Sequence, residues 1–151
     1  MKPYRTAVDY DMSTEYPVYN ITGIYRAVSY HRNGTAGKSQ WIISVDEEID
    51  LFAVAKKEGY AAYGVGHAVW VVDSHLVDLG LTVNGNFTKM ARFEDGTHTD
   101  NWHGYPANYM LAKSDIPPTG VLKKWVDNSF ISKSDITKIQ KQRPCKLQRS
   151  V

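Results

Sequence analysis

Hydrophobic and polar positions alternate irregularly over the first twenty residues. TAVDY there suggests a short strand, and DMSTEYP, rich in Ser, Thr and Pro, suggests a loop. From Thr22 to Asp46, two β-branched and aromatic runs, TGIYRAVSY and SQWIISV, flank the Gly- and Asn-rich HRNGTAGK. This pattern predicts a β-hairpin whose tip leaves His31 exposed. Ser44 to Glu58 then carries a helical period, with Ile49, Phe52 and Ala53 on one face and Val45 a turn earlier. Ser44 and Glu47 have capping-box spacing, acidic residues fill the first turn, Lys56 and Lys57 the last, and Gly59 stands at the stop position.

Tyr60 to Asp73 returns to strand, with Gly64 and Gly66 suggesting a bulge and His67 a core position. Asn84-Gly85 predicts a tight hairpin between LVDLGLTV and FTKMARFE, and the second run lacks clean alternation, so both its faces should be covered. The stretch from the end of FTKMARFE to Leu111 reads as a central loop. Beyond it, Pro117 and Pro118 can open a helix capped by Ser114 or Asp115. Ser132 with Asp135 caps a second helix, with Ile136 and Ile139 inward and Pro144 at its end. The predicted fold is α+β: antiparallel strands, one capped helix at about 44–58 and a C-terminal helical hairpin at about 117–142. We expect one domain, 1–151, with a strand-rich body and central loop over 1–113 and a basic helical tail over 114–151.

Composition adds two points. No apolar leader precedes the first predicted strand, and the longest apolar run, AVWVV, is far too short to span a bilayer, so a cytoplasmic protein without membrane contact is expected. The charge is uneven: residues 1–120 carry ten Lys/Arg and fourteen Asp/Glu, whereas 121–151 carry eight Lys/Arg and two Asp. A basic end on an acidic body suggests a polyanion partner. The single cysteine, Cys145, rules out an internal disulfide.

Candidate chemistry concentrates in His98-Thr99-Asp100-Asn101-Trp102-His103-Gly104-Tyr105-Pro106. An extended His98–Asp100 puts both side chains on one face, and His103 could fold back to join them. Such a trio suits general acid–base work on a phosphodiester or a divalent metal, although the spacing is no established metal signature, and no metal ligands are assigned. The competing reading is a rigid loop shaped by Asn101, Gly104 and Pro106, with Trp102 and Tyr105 plugged into the body. Trp102, Tyr105 and Tyr109 also lie next to the basic helices, and aromatic faces beside Lys123, Lys124, Lys138 and Lys141 suit a nucleic acid or nucleotide.

GTAGKS is not a phosphate loop, because the required first glycine is Arg32 and a strand, not a helix, follows. The strand-borne pair Tyr25-Arg26 resembles the first motif of the ADP-ribosyltransferases, which implies a ligand-binding role for Arg26. The later Ser-Thr-Ser strand and Glu-x-Glu pair of that family are missing, so its activity is not carried over. The sequence thus points to a small nucleic-acid- or nucleotide-binding protein, in a regulatory or defence/counter-defence context suggested by size alone. The alternatives are a hydrolase or nuclease built on His98, Asp100 and His103, and a factor that docks on a protein partner. Cofactors stay open.

Overall fold

The stretch read as a central loop is the middle of the main sheet. The computed structural model describes residues 8–58, 61–62 and 67–148. The first half holds β1 (Val8–Asp11), α1 (Met12–Glu15), β2 (Ile24–Ala27), β3 (Gln40–Trp41) and α2 (Val45–Glu58). Then come β4 (Ala61–Ala62), β5 (Ala68–Val72), β6 (Gly80–Leu81), β7 (Phe87–Thr88), β8 (Met90–Glu94) and β9 (Asn101–Pro106). The helices α3 (Thr119–Asp127) and α4 (Lys133–Gln140) follow, with the described chain running on to Gln148. The fold is α+β, with a C-terminal helix pair as expected.

Six strands form one sheet in the order β1-β2-β9-β8-β5-β4, and three form another, β3-β6-β7. All pairs are antiparallel except β2 with β9, where Tyr25 lies opposite Trp102. The predicted hairpin over Thr22–Asp46 is therefore absent: β2 joins β1 and β9, while β3 pairs with β6 in the other sheet. Non-local partners overrode two runs that each read well as strands. DMSTEYP likewise is not all loop, because Asp11 accepts a hydrogen bond from Ser13 N and caps the single turn of α1.

Other local signals hold. Ser44 and Glu47 exchange their capping-box hydrogen bonds at 3.0 and 3.1 Å at the start of α2. Ser132 and Asp135 do the same for α4. Asn84-Gly85 turns β6 into β7, with Gly85 at φ +83°, a left-handed angle that favours glycine. α3 differs in its start: Pro118 is its N-cap, and Asp115 is buried instead of capping. The expected Gly59 stop and the Gly64–Gly66 bulge lie outside the described residues.

Alternation along the strands divides the core. One face of the main sheet buries Tyr25, Val69, Val71, Phe93 and Trp102 against Ile49, Phe52 and Ala53 of α2. The other buries Ala68, Trp70, Val72 and Met90 against Leu122, Trp125 and Ile139 of α3 and α4. β5 and β8 are covered on both sides, which explains their unbroken apolar runs. The helix pair covers the β5 end of its face, and polar side chains take over where β8 and β9 emerge from beneath it.

Candidate active site

β8 and β9 pair with Arg92 opposite Tyr105 and Glu94 opposite His103. A strand repeats every two residues, so these four side chains share one face while Ala91, Phe93, Trp102 and Gly104 enter the core behind them. Gly104 is required by that packing. A Cβ there would lie 2.1 Å from the Phe93 ring, so only glycine lets the two strands close with His103 and Tyr105 on either side of it.

The four groups form one hydrogen-bonded chain. His103 Nε2 lies 3.2 Å from Glu94 Oε1. Arg92 donates to Glu94 Oε2 at 2.5 Å and to the Tyr105 hydroxyl at 3.0 Å. Tyr105 donates to Asp115 Oδ1 at 2.6 Å, and the Asn108 N–H donates to Asp115 Oδ2 at 2.9 Å. The hydrogen bond from His103, aided by Arg92, holds the Glu94 carboxyl down to about 2 against the effect of burial. Glu94 is thus ionised at neutral pH, and the His103 nitrogen facing it carries a proton. At the other end, burial raises the Asp115 carboxyl although Tyr105 and the Asn108 N–H oppose it.

Across these strands stands His31, which is buried, not exposed at a hairpin tip. Its ring stacks on Tyr105 at 5.5 Å between centroids. Together with Lys38, Glu94, His103, Tyr105 and Asp115 it lines a cavity of about 330 Å³. Burial pushes His31 down to about 4, helped by the charges of Lys38 and His103, although the Ser39 carbonyl 2.8 Å from Nδ1 pulls the other way. A neutral ring so placed must carry its proton on Nδ1, to donate to that carbonyl, and keeps its lone pair on Nε2. The Ser39 hydroxyl, 3.4 Å from the same Nδ1, therefore has no base to remove its proton. Cys145 is buried elsewhere, with its sulfur 3.2 Å from the Tyr109 hydroxyl. The cavity thus pairs a neutral imidazole with a carboxylate-bound one and offers no activated Ser or Cys nucleophile among the described residues.

No family model matches the chain, and no curated protein or solved structure is significantly similar to it.

The expected trio does not assemble. His98 and Asp100 have φ of +57° and +63°, so the segment is a left-handed turn in which the strand rule of shared faces fails. His98 stacks on His67 at 3.9 Å, and that histidine is exposed instead of buried in a strand. Asp100 pairs with Lys56 at 2.6 Å and accepts from Trp102 Nε1 at 2.8 Å. His103 alone of the three lines the cavity. Among the described residues no three His, Cys, Asp or Glu side chains gather closely enough to hold a metal ion.

The ligand-binding candidates separate similarly. Tyr105 is in the cavity wall. Trp102 packs on Phe52 in the core, with the Lys56 ammonium 5.6 Å from its ring centre, and Tyr109 is fully buried with its hydroxyl on the Arg143 carbonyl. Arg26 is exposed and paired with Asp9 at 2.7 Å. Lys123 and Lys141 are exposed, Lys138 lies 3.8 Å from Asp135, and Lys124 donates to the Glu58 carbonyl. Arg32 is locked onto buried Glu48 at 2.8 Å. A recess of about 500 Å³ beside α2, rimmed by Glu47, Asp50, Glu58 and Asp73, holds none of the histidines.

Sequence reasoning missed His31, Glu94 and Asp115 as site residues. A signal for Glu94 was present: Arg92 and Glu94 interrupt an apolar strand at a spacing of two, and His103 and Tyr105 repeat that spacing after the turn.

Proposed function

We propose that the protein cleaves phosphodiester bonds in ribonucleic acid by general acid–base chemistry, with His31 as the base and His103 as the acid. The observation that carries this reading is the pair of imidazoles in one cavity, one kept neutral by burial and the other hydrogen-bonded to an ionised Glu94. A base must be free of its proton and an acid must hold one: burial keeps His31 neutral, and His103 carries a proton on the nitrogen that faces the Glu94 carboxylate. Among the described residues the cavity supplies no activated side-chain nucleophile, and the reading takes the attacking oxygen from the substrate itself, as the 2′-hydroxyl of a ribonucleotide.

His31 Nε2 takes the proton from the 2′-hydroxyl, and the oxygen attacks the adjacent phosphorus. The P–O5′ bond breaks, O5′ receives a proton from His103, and the products are a 2′,3′-cyclic phosphate and a free 5′-hydroxyl. Water then returns the proton balance of the two rings. Lys38, on the cavity wall with its ammonium over the Tyr30 ring, supplies positive charge for the phosphate, since Arg92 is committed to Glu94 and Tyr105. Lys123, Lys138 and Lys141 add the non-specific attraction of a polyanion to the body.

The test is cleavage of a mixed-sequence ribo-oligonucleotide beside its 2′-deoxy counterpart. Only the ribo form should be cut. His103→Ala and His31→Ala should each lower the rate by about 10²–10⁴-fold with the fold intact. The acid limb of kcat/KM should lie near pH 4, where burial places His31. Uncut RNA, or full activity in His103→Ala, would overturn the assignment.

A further inference from the structure

His103 lines a second cavity as well. The first extends along the end of β9 toward Pro106 and Asn108; the second, about 400 Å³, extends toward β2 and the start of β9. Its walls include Arg26, Thr97, Thr99, Asn101 and His103. The parallel register that sets Tyr25 against Trp102 brings Arg26 level with His103 on the neighbouring strand. Both point away from the core formed by Tyr25 and Trp102, so they share a face. Asp9 lies opposite Arg26 and Glu94 opposite His103, giving the row Asp9–Arg26–His103–Glu94 across four strands.

We infer that this second cavity is a binding site for a neighbouring phosphate of the same chain substrate, with Arg26 as its principal contact. The inference rests on the phosphodiesterase reading and narrows it: the substrate is an oligonucleotide that crosses β9, not a mononucleotide or a cyclic phosphate. Three features support it. Adjacent strands are about 4.8 Å apart, so Arg26 sits one short step from the reacting group. The Arg26 guanidinium is more than half exposed and its only ion-pair partner among the described residues, Asp9, is nearly as exposed. Such a pair contributes little in water, and a phosphate, with more charge and more acceptor oxygens, can displace the carboxylate. Finally, the lining also carries hydroxyls and an amide, with Thr97 and Thr99 2.6 Å apart and Asn101 Nδ2 2.8 Å from the Thr99 hydroxyl. Their donors are engaged with one another and with Asp95, so the wall they form is neutral and leaves the phosphate contact to Arg26.

The experiment uses the full chain and two kinds of probe. Binding is read by fluorescence anisotropy on an uncleavable 2′-deoxy hexanucleotide. Cleavage is read on a ribo-hexanucleotide and on the ribo-dinucleotide of its scissile step. Arg26→Ala should weaken hexamer binding about tenfold and reduce the salt slope by about one. The hexamer-to-dimer ratio of kcat/KM should fall by a similar factor. Asp9→Asn should act in the opposite direction and tighten the hexamer, an outcome that unfolding cannot imitate. Equal loss on hexamer and dimer, no loss with Arg26→Ala, or no gain with Asp9→Asn would overturn the second site. Cleavage that needs His103 but ignores Arg26 would leave the catalytic reading standing without it. Arg26-dependent binding without any cleavage would keep the site and remove the enzyme.

Discussion

Replacing Glu94 by Gln removes the one charge that binds both His103 and Arg92. The His103 hydrogen bond and the Arg92 guanidinium lower the carboxyl from an ordinary 4.5 to about 2. At about 1.4 kcal/mol per pH unit that difference is worth roughly 3 kcal/mol. Glu94 is 29% exposed, so solvent screening reduces the figure to about 1–3 kcal/mol. The loss is felt at Arg92, which is 14% exposed and whose buried Nε already lacks a partner among the described residues. Because the folded-state value is depressed, the stabilisation is complete above about pH 4.5 and is lost as the pH falls through about 2. At pH 7, Glu94→Gln should therefore be less stable than the parent by about 1–3 kcal/mol. By pH 3 that gap should have shrunk to less than half. Asp95 and Asp100 are also held low, but they occur in both proteins and cancel in the difference. The assay is urea denaturation of both proteins at fixed ionic strength from pH 7 to pH 3. A gap that stays constant over this range, or no gap at pH 7, would refute the reasoning.

Two further substitutions probe the packing behind the site and the capping of α4. Gly104→Ala forces a methyl group into the Phe93 ring, which cannot retreat because Tyr25, Trp41 and Phe52 surround it. It should cost about 1–3 kcal/mol, read as a lower thermal midpoint, and a variant as stable as the parent would mean that the strands are less closely apposed. Ser132→Ala removes half of the α4 capping box and should cost about 1 kcal/mol in urea denaturation, whereas Ser134→Ala nearby should cost measurably less.

Legibility followed the range of the interactions. The capping boxes at Ser44 and Ser132 and the turn at Asn84-Gly85 were readable because each is complete within a few residues. The reading failed where a segment's partner lies far along the chain. β2 looked like one arm of a local hairpin, and nothing in its residues announces that it pairs with β9. His31 looked exposed for the same reason, since its burial depends on Tyr105 and on the Ser39 carbonyl within a loop that folds back. The site was half visible: His103 and Tyr105 were singled out, but their partners were sought in the adjacent turn instead of across the sheet. His98 and Asp100 misled because their backbone is left-handed, a property that neither residue type declares. Trp102 and Tyr109 misled because an aromatic beside lysines in sequence can still be the residue that fills the core.

The parallel pairing of β2 with β9 has a consequence for the order in which the protein can be made. Residues 24–27 leave the ribosome long before residues 101–106 exist, so β2 has β1 beside it and no strand at its other edge while most of the body is synthesised. His31 and Arg26 come from the early segment, and Glu94 and His103 from the late one. No nascent chain that stops before residue 103 can bring the two imidazoles together. Whatever chemistry the cavity performs is thereby withheld from incomplete products, and contacts of such long sequence separation should also make the final docking of the amino-terminal strands one of the slower steps of folding.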